Sequence, residues 1–150
     1  MDSSTKLLNI GRNSCRLPVV SSQLILMAGQ SYRDLLVWQK SMDIVTETYR
    51  LTEGFPKSEV FGLASQLKRA IVSVPSNIAE GQGRNSPKEF VYHLSVAYAS
   101  LMEAETQIQI AANLNYVDQK IADVFFQKTS EIGRMLNGLS RSISRPTDNR

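Results

Sequence analysis

Along most of the chain, apolar side chains recur at alternating steps of three and four, the spacing that aligns one face of an α-helix. Between Tyr32 and Thr52 they are Leu35, Trp38, Met42, Val45 and Tyr49, with Lys40, Asp43, Glu47 and Arg50 away from the seam. This predicts a first helix over 32–52. Gly54, Phe55 and Pro56 stop it, because glycine frees the backbone and the residue before a proline avoids helical dihedrals. Ser58 is placed to cap a second helix with the seam Val60, Leu63, Leu67, Ala70, Val74 and Ile78, and Gly81 is expected to end it. Pro75 lies inside that helix, where it removes a backbone hydrogen bond and crowds the preceding turn. The expectation is a kink near Ile71 to Pro75, or a division into two shorter helices.

The third start carries the clearest signal. Ser86 precedes Pro87 at the first helical position, and Glu89 follows three residues after the cap, the pattern of a capping box. Phe90, Leu94, Ala97, Leu101, Ala104, Ile108 and Ala111 then step by four and three toward an end at Asn113 to Asn115. Asp118 is expected to cap a fourth helix that buries Ile121, Phe125, Ile132, Leu136, Leu139 and Ile143, and Pro146 ends any helical run. Links this short make consecutive helices antiparallel neighbours. The sequence therefore predicts an all-α fold, an antiparallel up-down-up-down four-helix bundle over 31–145, between a leader over 1–30 and a short tail over 146–150.

With 150 residues, 42% hydrophobic and 21% charged, the chain has the length and composition of one globular domain. Cys15 is its single cysteine, so no internal disulfide forms, which suits a reducing cytoplasm. No apolar run reaches the roughly 18 residues that cross a bilayer. Lys6, Arg12 and Arg16 ahead of Val19, Val20, Leu24, Ile25 and Leu26 look faintly like a signal peptide, but Ser21, Ser22 and Gln23 interrupt the apolar stretch. Two readings of this segment stay open, an unstructured leader or an upstream extension with the start at Met27.

The net charge of +3 changes meaning once it is located. Residues 1–26 and 134–150 hold most of the basic excess, and the body between them carries slightly more acidic than basic residues. Catalytic constellations are missing from the pattern. His93 is the single histidine, whereas di-iron bundles need a Glu-x-x-His pair on each of two helices and several more carboxylates. The acidic neighbour of His93 on its own helix is Glu89, which predicts a surface ion pair. Gly81, Gln82 and Gly83 follow a helix instead of a strand and lack the lysine and serine of a phosphate loop, so they read as a stop and turn. Glu103 and Glu105, two apart on a helix, point in different directions. The sequence thus predicts no catalytic residues, no metal and no cofactor.

Three features remain that could carry function. Gln66, Arg69, Ser73, Ser76 and Glu80, with Asn77 beside them, form a polar stripe on the second helix that reads either as a solvated face or as a partner-docking face. Lys57, Lys68, Arg69, Arg84 and Lys88 form a local basic excess against Glu59 and Glu80. Of these, Arg84 and Lys88 flank the N-terminus of the third helix, where free N–H groups favour an anion. Third, Leu36, Val37 and Ile44, together with Val91, Tyr92, Val96 and Tyr98, exceed what one bundle core can face inward, which predicts self-association.

Several stretches then become distinctive in combination. They are Leu35-Leu36-Val37-Trp38-Gln39-Lys40, Gly62-Leu63, Ser65-Gln66-Leu67-Lys68-Arg69-Ala70, Ser73-Val74-Pro75-Ser76-Asn77-Ile78-Ala79-Glu80-Gly81 and Lys88-Glu89-Phe90. Together they resemble the family of 23S ribosomal RNA intervening-sequence proteins over about residues 31 to 140. The resemblance implies a bacterial, cytoplasmic, non-enzymatic bundle that assembles into a homopentamer. A related branch serves diversity-generating retroelements and uses a basic surface to bind nucleic acid and a reverse transcriptase. Carried onto this chain, the resemblance makes Lys68 and Arg69, with Lys40 and Arg84, the candidate nucleic-acid contacts, and Lys57 and Lys88 extend that set. The reading is a homo-oligomer that binds structured RNA through phosphate contacts. The alternative is a protein-interaction scaffold that docks a partner on the stripe of the second helix.

Overall fold

The computed structural model describes residues 31–145; the leader and the tail lie outside that range. Four helices make the body: α1 Leu36–Thr52, α2 Leu63–Gln82, α3 Pro87–Asn113 and α4 Gln119–Ser144. Short 3-10 turns at Tyr32–Asp34 and Lys57–Glu59 precede α1 and α2, and no strand occurs among the described residues. The residues that meet between helices run in opposite order. Asn77 and Gly81 of α2 meet His93 and Phe90 of α3, while Lys40 and Glu47 of α1 meet Glu131 and Lys128 of α4. Such crossing order is antiparallel packing, and the short links impose the same on the remaining neighbours. The α2–α3 seam is the most extensive and α1–α4 the thinnest.

On α3 all seven residues of the expected seam are buried, from Phe90 to Ala111. Ser86 accepts a hydrogen bond from the Glu89 N–H, and Pro87 occupies the first turn. The helix ends in a left-handed residue, Asn115, with φ 57°. There the Tyr116 N–H donates to the Ala111 carbonyl and the Asn115 N–H to that of Ala112, which is a Schellman closure with asparagine in the place glycine usually fills.

α1 departs from the expectation. The 3-10 turn at Tyr32–Asp34 and the extended Leu35 delay its start, and its buried face is Val37, Ser41, Ile44, Thr48 and Thr52. Met42 and Tyr49, placed in the seam by spacing, are exposed, whereas Val37 and Ile44, expected as surplus surface, belong to the core. The hydroxyls explain the shift. Ser41 donates to the Val37 carbonyl at 2.6 Å and Thr48 to that of Ile44 at 2.7 Å, so each is buried with its hydrogen bond already made and at little cost. α4 repeats the device at Thr129, which donates to the carbonyls of Phe125 and Phe126. Its buried face takes Ala122 in place of Ile121, which is half exposed.

The second helix also starts and ends later than expected. Ser58 falls in the 3-10 turn, Val60 and Phe61 are exposed, and α2 begins after Gly62. Glu59 supplies the cap: its Oε2 accepts from the Leu63 N–H at 2.8 Å, and its Oε1 accepts from the Tyr116 hydroxyl at 3.3 Å. One side chain therefore ties the start of α2 to the α3–α4 turn. Pro75 is buried within one continuous helix, so the divided form does not occur. Gly81 is buried inside α2 and does not end it. A Cβ there would lie 2.7 Å from His93 Cβ and 2.8 Å from Phe90 Cδ2, closer than carbon atoms pack.

Two outcomes follow from these contacts. Gly81→Ala forces α2 off α3 and should destabilise the fold by about 1–3 kcal/mol, the usual cost of overpacking, measured by urea denaturation. The Tyr116 phenol is held above its ordinary value of 10.0 by burial, by the charge of Glu59 and by the hydrogen bond to it. A raised value in the folded state contributes stability below the ordinary one, and this is lost as pH rises through the folded value. Denaturation midpoints should therefore fall above about pH 10, and Tyr116→Phe should flatten that part of the profile.

Candidate nucleic-acid interface

The structure separates the six candidate cations. Lys40 lies in the α1–α4 seam, its Nζ 3.0 Å from Glu131 Oε1, beside the parallel pair Lys128–Glu47. Lys68 sits with its Nζ 5.0 Å above the centre of the Tyr49 ring, a cation–π contact that directs it toward α1. Lys57 is exposed on the turn before α2. Arg84 and Lys88 stand at the other end of that helix, about 30 Å away at 1.5 Å per residue. Arg69 is exposed and has no ion pair among the described residues.

The polar stripe divides as well. Gln66, Arg69, Ser73 and Ser76 line an open groove with Val72 of α2 and Ser100 and Glu103 of α3. Asn77 and Glu80 instead face His93 of α3. The Asn77 amide donates to the Ser73 carbonyl at 2.8 Å, and its Oδ1 faces His93 Nδ1 at 3.1 Å. That arrangement puts a hydrogen on Nδ1, since an amide oxygen can only accept. Nε2 of the same ring lies 3.8 Å from Glu80 Oε1, which also holds the Arg84 guanidinium. The expected pairing of His93 with Glu89 gives way to this one, because the ring points across the seam to α2.

Charge segregates along the bundle axis. Arg33, Arg84, Lys88, Arg141 and Arg145 are all exposed at the end where α1 begins, α2 turns into α3 and α4 finishes. Of the acids there, Asp34 accepts from the Ser31 N–H and Glu80 is taken by Arg84, which leaves Glu89. The opposite end sets Arg50, Lys57 and Lys120 against Glu53, Glu59, Asp118 and Asp123. Lys88 and Arg145 have no partner among the described residues.

Sequence reasoning picked out Arg84 and Lys88 and, separately, a basic excess over 134–150, but it did not join them to each other or to Arg33, which only the folded bundle does. It missed the exposure of Phe61, at 95%, whereas Tyr92, counted there as surplus surface, is 64% exposed. Tyr92 lies four residues after Lys88 on α3, a spacing that was visible in the sequence. No group of histidine, cysteine and acidic side chains suited to a metal occurs among the described residues, and none of their helices is long and apolar enough to cross a membrane.

The fold has a solved counterpart. A crystal structure of a protein of unknown function from the S23 ribosomal protein family of Bacteroides thetaiotaomicron VPI-5482 superposes with a TM-score of 0.64 and 19% identity, covering 71% of this chain and 99% of that one. At that identity the likeness shows the fold alone. No curated protein matches the chain. The model of the 23S rRNA-intervening sequence proteins matches residues 33–138, from the first 3-10 turn to the last turns of α4, and the chain belongs to that family.

Proposed function

We propose that the protein is a non-enzymatic, cytoplasmic homo-oligomer that binds structured RNA through phosphate contacts at the basic end of the bundle. The observation that carries this reading is the axial segregation of charge, with Arg33, Arg84, Lys88, Arg141 and Arg145 gathered at one end. Phosphate contacts of this kind release counterions, so they favour any nucleic acid over a neutral ligand. The family name, which refers to intervening sequences of 23S rRNA, favours RNA among nucleic acids. Lys40 and Lys68 drop to minor roles, since they lie away from that end and an acid and an aromatic face engage them; Arg84 and Arg33 are engaged in the same way by Glu80 and the Tyr32 ring, so Lys88, Arg141 and Arg145 are the leading contacts.

Oligomerisation is supported by the apolar surface. Leu36, Val60, Phe61, Ile121 and Val124 are each about half exposed or more, and a ring of copies would cover part of that surface. A ring would also set several basic ends side by side and raise avidity for one RNA without new contacts. The homopentamer implied by the sequence resemblance is the assembly proposed. A second reading is favoured by the α2–α3 groove, where Val72 is exposed among Gln66, Arg69, Ser73 and Ser76: a protein scaffold that docks a partner helix there.

Fluorescence anisotropy with a structured RNA at several salt concentrations separates the two. Affinity should fall steeply with salt, and the Lys88→Glu, Arg141→Glu double variant should lower the log–log slope by about 0.7–0.9 for each phosphate no longer neutralised. Absence of binding at low salt would overturn the RNA reading and favour the scaffold.

A further inference from the structure

We propose that Tyr92, Lys88 and Arg84 form a site for an unpaired nucleotide of the RNA, whose base stacks on the tyrosine ring while its phosphates meet the two cations. This rests on the RNA reading above and names the form of RNA that the basic end takes.

Tyr92 is 64% exposed and its hydroxyl has no partner among the described residues. Burial therefore does not account for a large aromatic residue at this place. Its neighbours are fixed. The ring meets that of His93 edge-on, with centroids 5.6 Å apart and planes at 76°. His93 is held by Asn77 and lies beside Glu80, which binds Arg84. Arg84, held by Glu80, stands in the α2–α3 turn at the same end of the bundle. Lys88 precedes Tyr92 by one turn of α3, so its stem emerges on the same face of the helix about 5–6 Å away. An open ring flanked by cations is the arrangement that binds single strands, because every base has a face to stack and every linkage a phosphate to pair.

Other aromatic side chains lack one part of this set: Tyr32, at the same end, is half-buried with Arg33 and Trp38 already against its ring. Phe61 is more exposed but stands at the acidic end. Lys68 already covers the Tyr49 ring, and Tyr98 packs over Gly133. Bases within a duplex are stacked on each other and have no free face, so the ligand is a loop, a bulge or a strand end.

The test compares a hairpin RNA carrying an unpaired loop with a blunt duplex of the same stem, titrated with full-length wild type, Tyr92→Ala and Tyr92→Phe. Circular dichroism and light scattering confirm fold and oligomeric state. Tyr92→Ala should weaken hairpin binding about tenfold and leave duplex binding unchanged, and Tyr92→Phe should restore the hairpin affinity. Lys88→Ala should weaken both RNAs and reduce the salt slope. Equal losses on the two RNAs, no loss on either, or a changed oligomeric state in Tyr92→Ala would overturn the stacking site while leaving phosphate binding standing. Failure of the wild type to bind either RNA at low salt would overturn both proposals.

Discussion

The close approach of α2 to α3 is the contact on which the rest of the structure depends. Gly81 lies against Phe90 and His93 with no room for a methyl group. Farther along the seam, Ala64 and Ala70 of α2 and Ala97, Ala104 and Ala111 of α3 are buried. Small residues let the helix axes draw together, and the larger Leu67, Ile71, Val74, Ile78, Leu94, Leu101 and Ile108 fill what remains at the density of a protein interior. The same approach brings His93 within hydrogen-bond reach of Asn77 and beside Glu80, the carboxylate that holds Arg84. Packing and the candidate site thus share one cause.

Much of this fold is legible in the sequence, but unevenly. α3 could be read because its buried positions are large apolar residues or alanine at strict helical steps, and because Ser86 and Pro87 mark its start. α1 could not, because Ser41, Thr48 and Thr52 count as polar until their hydroxyls are seen to bond the preceding turn. Larger residues such as Met42 and Tyr49 then draw the predicted seam to the wrong side. Gly81 reads as a helix stop for a similar reason: its function lies in a neighbour that only the tertiary structure supplies.

The candidate site was legible as a set of residues and illegible as an arrangement. The candidate cations stand out in the chain, yet Lys40, Lys68 and Arg84 each find a partner in the fold. Two of those partners, Glu131 and Tyr49, belong to other helices. Conversely, Arg33 is inconspicuous in sequence and Arg141 is only part of a basic C-terminal stretch, and both gain meaning from the shared end of the bundle. A bundle whose charges nearly balance in sum can still present a basic end, since recognition responds to local potential and less to net charge.

The most direct measurement of that claim is ultraviolet crosslinking of the full-length protein to a structured RNA at low salt, with crosslinked peptides mapped by mass spectrometry. Crosslinks are expected in the α2–α3 turn and the start of α3, over residues 84–95, and at the end of α4, over 141–145. Crosslinks confined to the acidic end, over residues 53–61 and 113–123, would contradict that claim.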